Sequence, residues 1–174
     1  MNEADNRGRL PVRKQPRLKG YDYSTPNYYF ITICCHEMHH LFGKPGCPNR
    51  WGSIAAKGLE QIEKHHPGIR LDKYVIMPNH LHAILILDSD VSNISVAIGQ
   101  YKSYVTSEIR KSAPKQIVWQ RYFHDHIIRN QEQYEKIWLY IHSNPANWEK
   151  DRYFNPEIEY DESPQGAGVT APLT

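Results

Sequence analysis

The sequence predicts an α+β domain in which strands and helices follow the order of a split β-α-β-β-α-β sheet, with one more helix at the C-terminal end. Three observations carry this. Four short stretches are rich in aromatic and β-branched residues, as strands are. Two stretches between them repeat apolar residues at helical spacing. Pro and Gly clusters punctuate the joins.

Each element follows in turn. "NYYFITICC", residues 27–35, reads as a buried strand. A polar loop with Gly and Pro, "GKPGCPNRWG", comes next. "SIAAKGLEQIEKHH" then places Ile54, Leu59 and Ile62 near helical spacing, and Pro67-Gly68 ends it. "IRLDKYVIM" and "HLHAILIL" are two strands joined by a tight turn at Pro78-Asn79. "NISVAIGQYKSYVTSEIRK" repeats apolar residues at Ile94, Ile98, Tyr101, Val105 and Ile109, the stripe of an amphipathic helix. "WQRYFHDHIIR" is the fourth strand. A last helix runs from a cap at Asn130 to about Asn144, where Pro145 stops it. The first six elements match the ferredoxin-like arrangement, whose first and third strands are central. The continuous apolar run of "HLHAILIL" suits a central strand buried on both faces.

Composition narrows the classes. At 174 residues the chain suits one domain with a real core. No apolar run approaches the roughly 20 residues of a membrane span. The polar start MNEADNRGRL lacks the apolar segment of a secretory signal. Three cysteines, two of them adjacent, make neither a disulfide framework nor a CxxC pair, and a cytoplasmic protein is expected. Net charge is only +2 but uneven. Residues 1–20 form a basic arm, expected to be flexible, with six Lys or Arg and no acid between Arg7 and Lys19. Residues 151–174 form an acidic tail, expected to be disordered. A basic arm can grip phosphates, though charged termini are often merely solvated.

Two histidine motifs compete for chemistry. In "MPNHLHAILIL", His80 and His82 stand two apart on a strand, so both rings share one face about 6.6 Å apart along the chain. They can aim at one divalent ion, with Leu81 on the opposite face. A helix would spread the pair by about 200°. An isolated HxH is more often packing than a metal site, and a site needs at least one more ligand. "HEMHH", His36 to His40, formally matches the zinc-protease signature HExxH. That chemistry requires a helix, and no helical apolar pattern surrounds the motif, so it reads as a polar loop. A second HxH, His124 and His126, lies on the fourth strand.

The last helix offers partners for the first pair. Tyr134, Ile137, Trp138 and Ile141 form its core stripe. Tyr140 lies about 120° from the centre of that stripe, with Asn144 one turn on and beside it. Spacing alone favours Tyr140 as a boundary residue and Asn144 as a helix C-cap.

The chain resembles the HUH single-strand DNA transposases with one catalytic tyrosine, and more narrowly the REP-associated tyrosine transposases. The resemblance rests on "RLKGYDYSTPNYYFITICC", "YVIMPNHLHAILIL", "YKSYVTSEIRK" and "VWQRYFHDHIIRNQEQYEKIWLYIHSNPANW", spread in order along the chain. MPNHLHAI followed by a later YIxxNP is far more specific than HxH alone. The resemblance implies that His80 and His82 bind a divalent metal, Mg²⁺ or Mn²⁺, with Asn144 as third ligand. It implies that Tyr140 is the nucleophile, and that residues 21–150 are the catalytic domain. The reaction would be cleavage and rejoining of single-stranded DNA through a 5′-phosphotyrosine, at hairpin or palindromic elements. Candidate DNA contacts are Arg17 and Lys19 on the arm, and Lys102, Thr106 and Arg110 along the second helix. Arg121 and Arg129 flank the fourth strand. Tyr21 and Tyr23 either stack on bases or anchor the arm. Two rivals are a non-catalytic nucleic-acid-binding domain on the same sheet and a metalloenzyme built on HEMHH. The sequence leaves a monomer and a homodimer equally open.

Overall fold

The computed structural model describes residues 21–89 and 91–160. The basic arm, with Arg17 and Lys19, and the end of the acidic tail lie outside these residues.

Strand β1, Asn27–Cys34, carries Tyr29, Ile31 and Ile33 on one face and Phe30, Thr32 and Cys34 on the other. After it, His36–Met38 makes a single 3₁₀ turn in which Glu37 and Met38 take φ of 50° and 60°. Two-residue strands β2, Gly43–Lys44, and β3, Cys47–Pro48, form a small hairpin inside the stretch expected to be loop. Helix α1, Arg50–Glu60, begins ahead of Ser53, where the helical stretch read from the sequence starts. The Asn49 side chain accepts from the Gly52 N–H and caps an orphan amide there. A short turn, α2 (Ile62–His65), continues it.

Strands β4, Ile69–Ile76, and β5, His80–Leu87, form a hairpin across Pro78-Asn79, closed by the Met77 N–H on the His80 carbonyl at 2.9 Å. Helix α3, Ile94–Arg110, follows, capped by Asn93. Strand β6 is confined to His124–Ile128, shorter than the expected 119–129. Its register sets Thr32 opposite His124, which would put Arg121 opposite Cys35. Trp119 is bridged to Cys35 instead, so two residues bulge out and the ladder breaks. Helix α4, Gln131–Ser143, starts at the Asn130 cap and has Asn144 as its C-cap.

The sheet order is β4-β5-β1-β6, with every neighbouring pair antiparallel. In the order of the four long strands this is second, third, first, fourth, the ferredoxin-like arrangement, with the first and third strands central. Helices α1 and α3 cover one face, packing Leu59, Ile98, Val105 and Ile109 against Ile31, Ile33, Leu81, Ala83 and Leu85. Helix α4 covers part of the other face, where Tyr134, Ile137, Trp138 and Ile141 meet Phe30, Val75, Ile84 and Ile128. Every side chain of β5 is buried. Among the described residues no helix is long and apolar enough to cross a membrane.

Residues 151–160 depart from the expected acidic tail. They fold back on the domain: the Asn79 amide donates to the Tyr153 carbonyl, and His40 is bridged to Tyr160. Trp148, buried after α4, donates its indole N–H to the Tyr160 hydroxyl and helps hold the segment down. Tyr23 is likewise buried, packs on Tyr21 and Tyr29, and donates to the Asp125 carboxylate, so it serves as an anchor and not as an exposed stacking platform.

Candidate functional site

Alternation along β5 turns His80 and His82 to the face that α4 covers, while Leu81 and Ala83 enter the core on the other side. The two rings lie 4.6 Å apart between centroids, and both side chains are almost fully buried. Helix α4 crosses above them, and Tyr140 sets its hydroxyl 3.2 Å from His82 Nε2. Phe30, on the neighbouring strand, lies 5.1 Å from the His82 ring and edge-on to Tyr140 at 6.3 Å. The pair of histidines and the tyrosine, far apart in the chain, are thus one site.

Asn144 closes the same pocket from the end of α4. It is 2 % exposed, and its Nδ2 donates to Asp151 Oδ2 at 2.7 Å. The hydroxyl of Tyr140 donates to that same oxygen at 2.9 Å. Sequence reasoning misses Asp151, one acid among several in a stretch without periodicity. Only the turn at Pro145 and the 3₁₀ segment to Lys150 return it to the site. One ligand atom from each of His80, His82 and Asp151 lies within 4.8 Å of the others.

Two buried atoms here have no hydrogen-bond partner among the described residues, His80 Nε2 and Asn144 Oδ1. Buried polar atoms are ordinarily paired, and leaving one unpaired costs roughly 1–3 kcal/mol. Two bare lone pairs in one pocket, with the His82 imidazole beside them, are a donor set that suits a divalent cation. Nitrogen ligands fit Mn²⁺ better than Mg²⁺.

The electrostatics agree with that assignment. Burial lowers the pKa of His80 to about 3, helped by the nearby charge of Arg152. Burial, then His80 and Arg152, pushes His82 well down, against an opposing effect of Asp151. Both imidazoles are therefore neutral, as ligands must be. Burial raises the Tyr140 pKa, and the hydrogen bond and charge of Asp151 raise it further, so the phenol keeps its proton in this state.

An open cleft of about 470 Å³ leads to the tyrosine, lined by Phe30, Thr32, His82, His124, Asp125, His126, Tyr140 and Arg152. The second HxH pair therefore walls the approach, exposed on the edge strand.

The structure brings Lys102, Thr106, Arg110 and Arg121 together along one groove of about 700 Å³ beside α3, with Ser103 and Trp119. Helix α3 lies on the face of the sheet opposite α4. Lys102 Nζ donates to the Gln120 and Arg121 carbonyls, and Arg110 to the Gln116 carbonyl, which fastens the 116–121 segment to α3. Arg129 is exposed after β6 and is not among the residues lining the groove.

HEMHH has no helix to place two histidines one turn apart. It is not wholly a polar loop either. His40 is buried among Trp148 and Tyr160, and neither ring nitrogen is paired among the described residues.

Comparison with known proteins identifies the family and the fold. The sequence model of a family described as IS200-like transposase matches residues 25–144. An uncharacterized protein of Haemophilus influenzae is 34% identical over 167 residues, covering 82% of this chain and 93% of its own length. Among solved structures, a REP-associated tyrosine transposase bound to a REP hairpin superposes with a TM-score of 0.58 at 18% identity. The match covers 76% of this chain and 73% of that one. A candidate transposase from Deinococcus radiodurans gives 0.50 at 16% identity, covering 73% and 95%.

Proposed function

The chain belongs to the IS200-like transposase family, and from that premise we propose that it is a metal-dependent single-strand DNA nickase and strand transferase. The observation that carries this reading is the Tyr140 hydroxyl at 3.2 Å from His82, beside the unpaired His80 Nε2 and Asn144 Oδ1.

In this reading Tyr140 Oη attacks a backbone phosphorus. The Oη–P bond forms, the P–O3′ bond breaks, and a 5′-phosphotyrosine and a free 3′-hydroxyl result. The hydroxyl proton points at Asp151 Oδ2, which holds the phenol so that its oxygen faces the cleft and His82. The covalent intermediate conserves the phosphodiester, so a 3′-hydroxyl can reverse the step and rejoin strands. His80, His82 and Asn144 would hold the divalent ion, Mn²⁺ or Mg²⁺, with Asp151 in reach. When bound it supplies polarisation of the scissile phosphate and eases loss of the tyrosine proton.

The strand enters over the short edge strand β6, between His124, His126 and Arg152, where the cleft is open. The basic groove of Lys102, Thr106, Arg110 and Arg121 lies beside α3, on the other face of the sheet from α4, and in this reading takes another segment of the DNA. A hairpin stem fits that role, and the hairpin bound to the similar transposase supports it. Arg17, Lys19 and Arg129 add phosphate contacts in this reading.

The test is incubation of the protein with single-stranded DNA hairpins and Mn²⁺ or Mg²⁺. A covalent protein–DNA adduct forms, and Tyr140→Phe loses it while still binding DNA. An adduct that survives Tyr140→Phe removes the nucleophile assignment, and cleavage indifferent to a chelator removes the metal.

A further inference from the structure

An imidazole has two nitrogens and an amide has two ends, so a ligand set works only if each turns the correct atom inward. Two chains of hydrogen bonds determine this. The backbone carbonyl of Tyr153 can only accept. The Asn79 nitrogen, 2.8 Å from it, is therefore the donating end. That leaves Asn79 Oδ1 as the end 2.8 Å from His80 Nδ1. An amide oxygen cannot donate, so His80 Nδ1 carries the proton and Nε2 keeps a bare lone pair. That nitrogen is one of the two buried atoms without a partner in the site. Asn79 is fully buried, and its own carbonyl accepts from the Cys35 N–H at 2.8 Å, so the relay is held at both ends.

The second chain has the same logic. The Asp151 carboxylate accepts, so the end of Asn144 facing it is Nδ2, and Oδ1 must point the other way. Asn144 Oδ1 is the other unpaired atom. Both relays start within residues 151–153, beyond the 25–144 span that the family model matches. His82 differs. Its Nδ1 lies 2.8 Å from the Thr32 hydroxyl. Tyr140 gives its one hydroxyl proton to Asp151, so toward His82 it can only accept. Without the ion His82 therefore carries its proton on Nε2 while Nδ1 accepts from Thr32, and ion binding would have to move that proton to Nδ1.

We propose that residues 151–153 are a positioning element which, through Asn79 and through Asp151, sets the atoms that His80 and Asn144 turn toward the divalent ion. The proposal rests on the reading of His80, His82 and Asn144 as that ion's site. Asn79 and Asp151 are positioning residues in it.

The test uses the full chain with ¹⁵N-labelled histidine, free of metal, and then titrates Mn²⁺. Ring nitrogen signals of the wild type should show His80 in the Nδ1–H form, against the Nε2–H form that a free histidine side chain prefers in water. Asn79→Ala should return His80 to Nε2–H and weaken Mn²⁺ binding about 10- to 100-fold, the usual effect of removing a residue that orients a metal ligand. Asp151→Ala should weaken it by a similar factor, and Asp151→Asn, which keeps an accepting oxygen for the Asn144 amide, should restore it. An Nε2–H His80 in the wild type overturns the inference even if Asn79→Ala does not fold. So does an unchanged Mn²⁺ affinity in Asn79→Ala, or an Asp151→Asn variant as weak as Asp151→Ala. A wild type that binds no Mn²⁺ overturns the ion site itself and this inference with it, whereas the other results overturn the inference alone.

Discussion

The two faces of β5 are equally dry and chemically opposite. Toward α1 and α3 it presents Leu81, Ala83, Leu85 and Leu87, all within one continuous apolar cluster. Toward α4 it presents His80 and His82, then Ile84 and Ile86. Burial of an apolar side chain stabilises a fold by roughly 1.5–3 kcal/mol, whereas a buried polar atom without a partner destabilises it. The first face is therefore what holds the domain together. The second leaves His80 Nε2 and Asn144 Oδ1 unpaired, a cost that a bound cation would offset. A single strand serves both purposes because its side chains alternate.

Four measurements bear on that contrast. The largest effect is expected from His82→Leu, which should lower cleavage of single-stranded DNA by about 10³-fold or more, as loss of a central group does. The fold should hold, because Leu fills a similar space and the main cost is the buried Thr32 hydroxyl losing its partner, roughly 1–3 kcal/mol. A variant that unfolds instead would make the histidines packing residues.

Leu81→Ala, one residue away on the opposite face, should show the reverse. Chemical denaturation should find it about 2–5 kcal/mol less stable, the range for such cavities, with cleavage per folded molecule retained. Lost activity in a folded Leu81→Ala protein would show that the faces are not separable.

Ligand completion gives the third. With Mn²⁺ at about 100 times its dissociation constant, the wild type should gain about 2.7 kcal/mol in stability. Thermal melts should show the gain reversed by chelator and absent in His80→Ala.

The smallest effect concerns His40, buried beside Trp148 and Tyr160 under the 145–160 segment. Burial lowers its pKa from 6.5, so it takes up a proton less readily in the fold than in the unfolded chain. Below about pH 6.5 the unfolded chain binds that proton more fully than the folded chain does, and stability falls with falling pH, by up to about 1.4 kcal/mol per unit. His80 and His82 act with the same sign, so His40→Phe should make the loss between about pH 7 and pH 5 shallower without removing it. A slope unchanged in His40→Phe would place the acid sensitivity wholly at the other histidines.

Much of the site was legible. The strand period placed His80 and His82 on one face, and the helical period placed Tyr140 and Asn144 one turn apart beside the core stripe of α4. Local signals also located the cap at Asn130 and the start of α3 at Ile94, because each stands at the head of an apolar repeat. Less legible were features set by distant partners. The two-residue bulge that ends β6 depends on where Trp119 meets Cys35. The groove of Lys102, Thr106, Arg110 and Arg121 followed helical spacing, yet its position behind the sheet depends on which face α3 covers.

The sequence by itself determined the elements, their order and the chemistry of the two faces, because period, capping and turn residues act over a few positions and need no partner. Only the tertiary structure decided what completes the pocket. Asp151, Arg152 and Tyr153 carry no periodic signal, and Asn79 reads as a turn residue. They reach His80, Asn144 and Tyr140 because Trp148 and Tyr160 pin the returning chain, an arrangement made by packing between residues far apart in sequence.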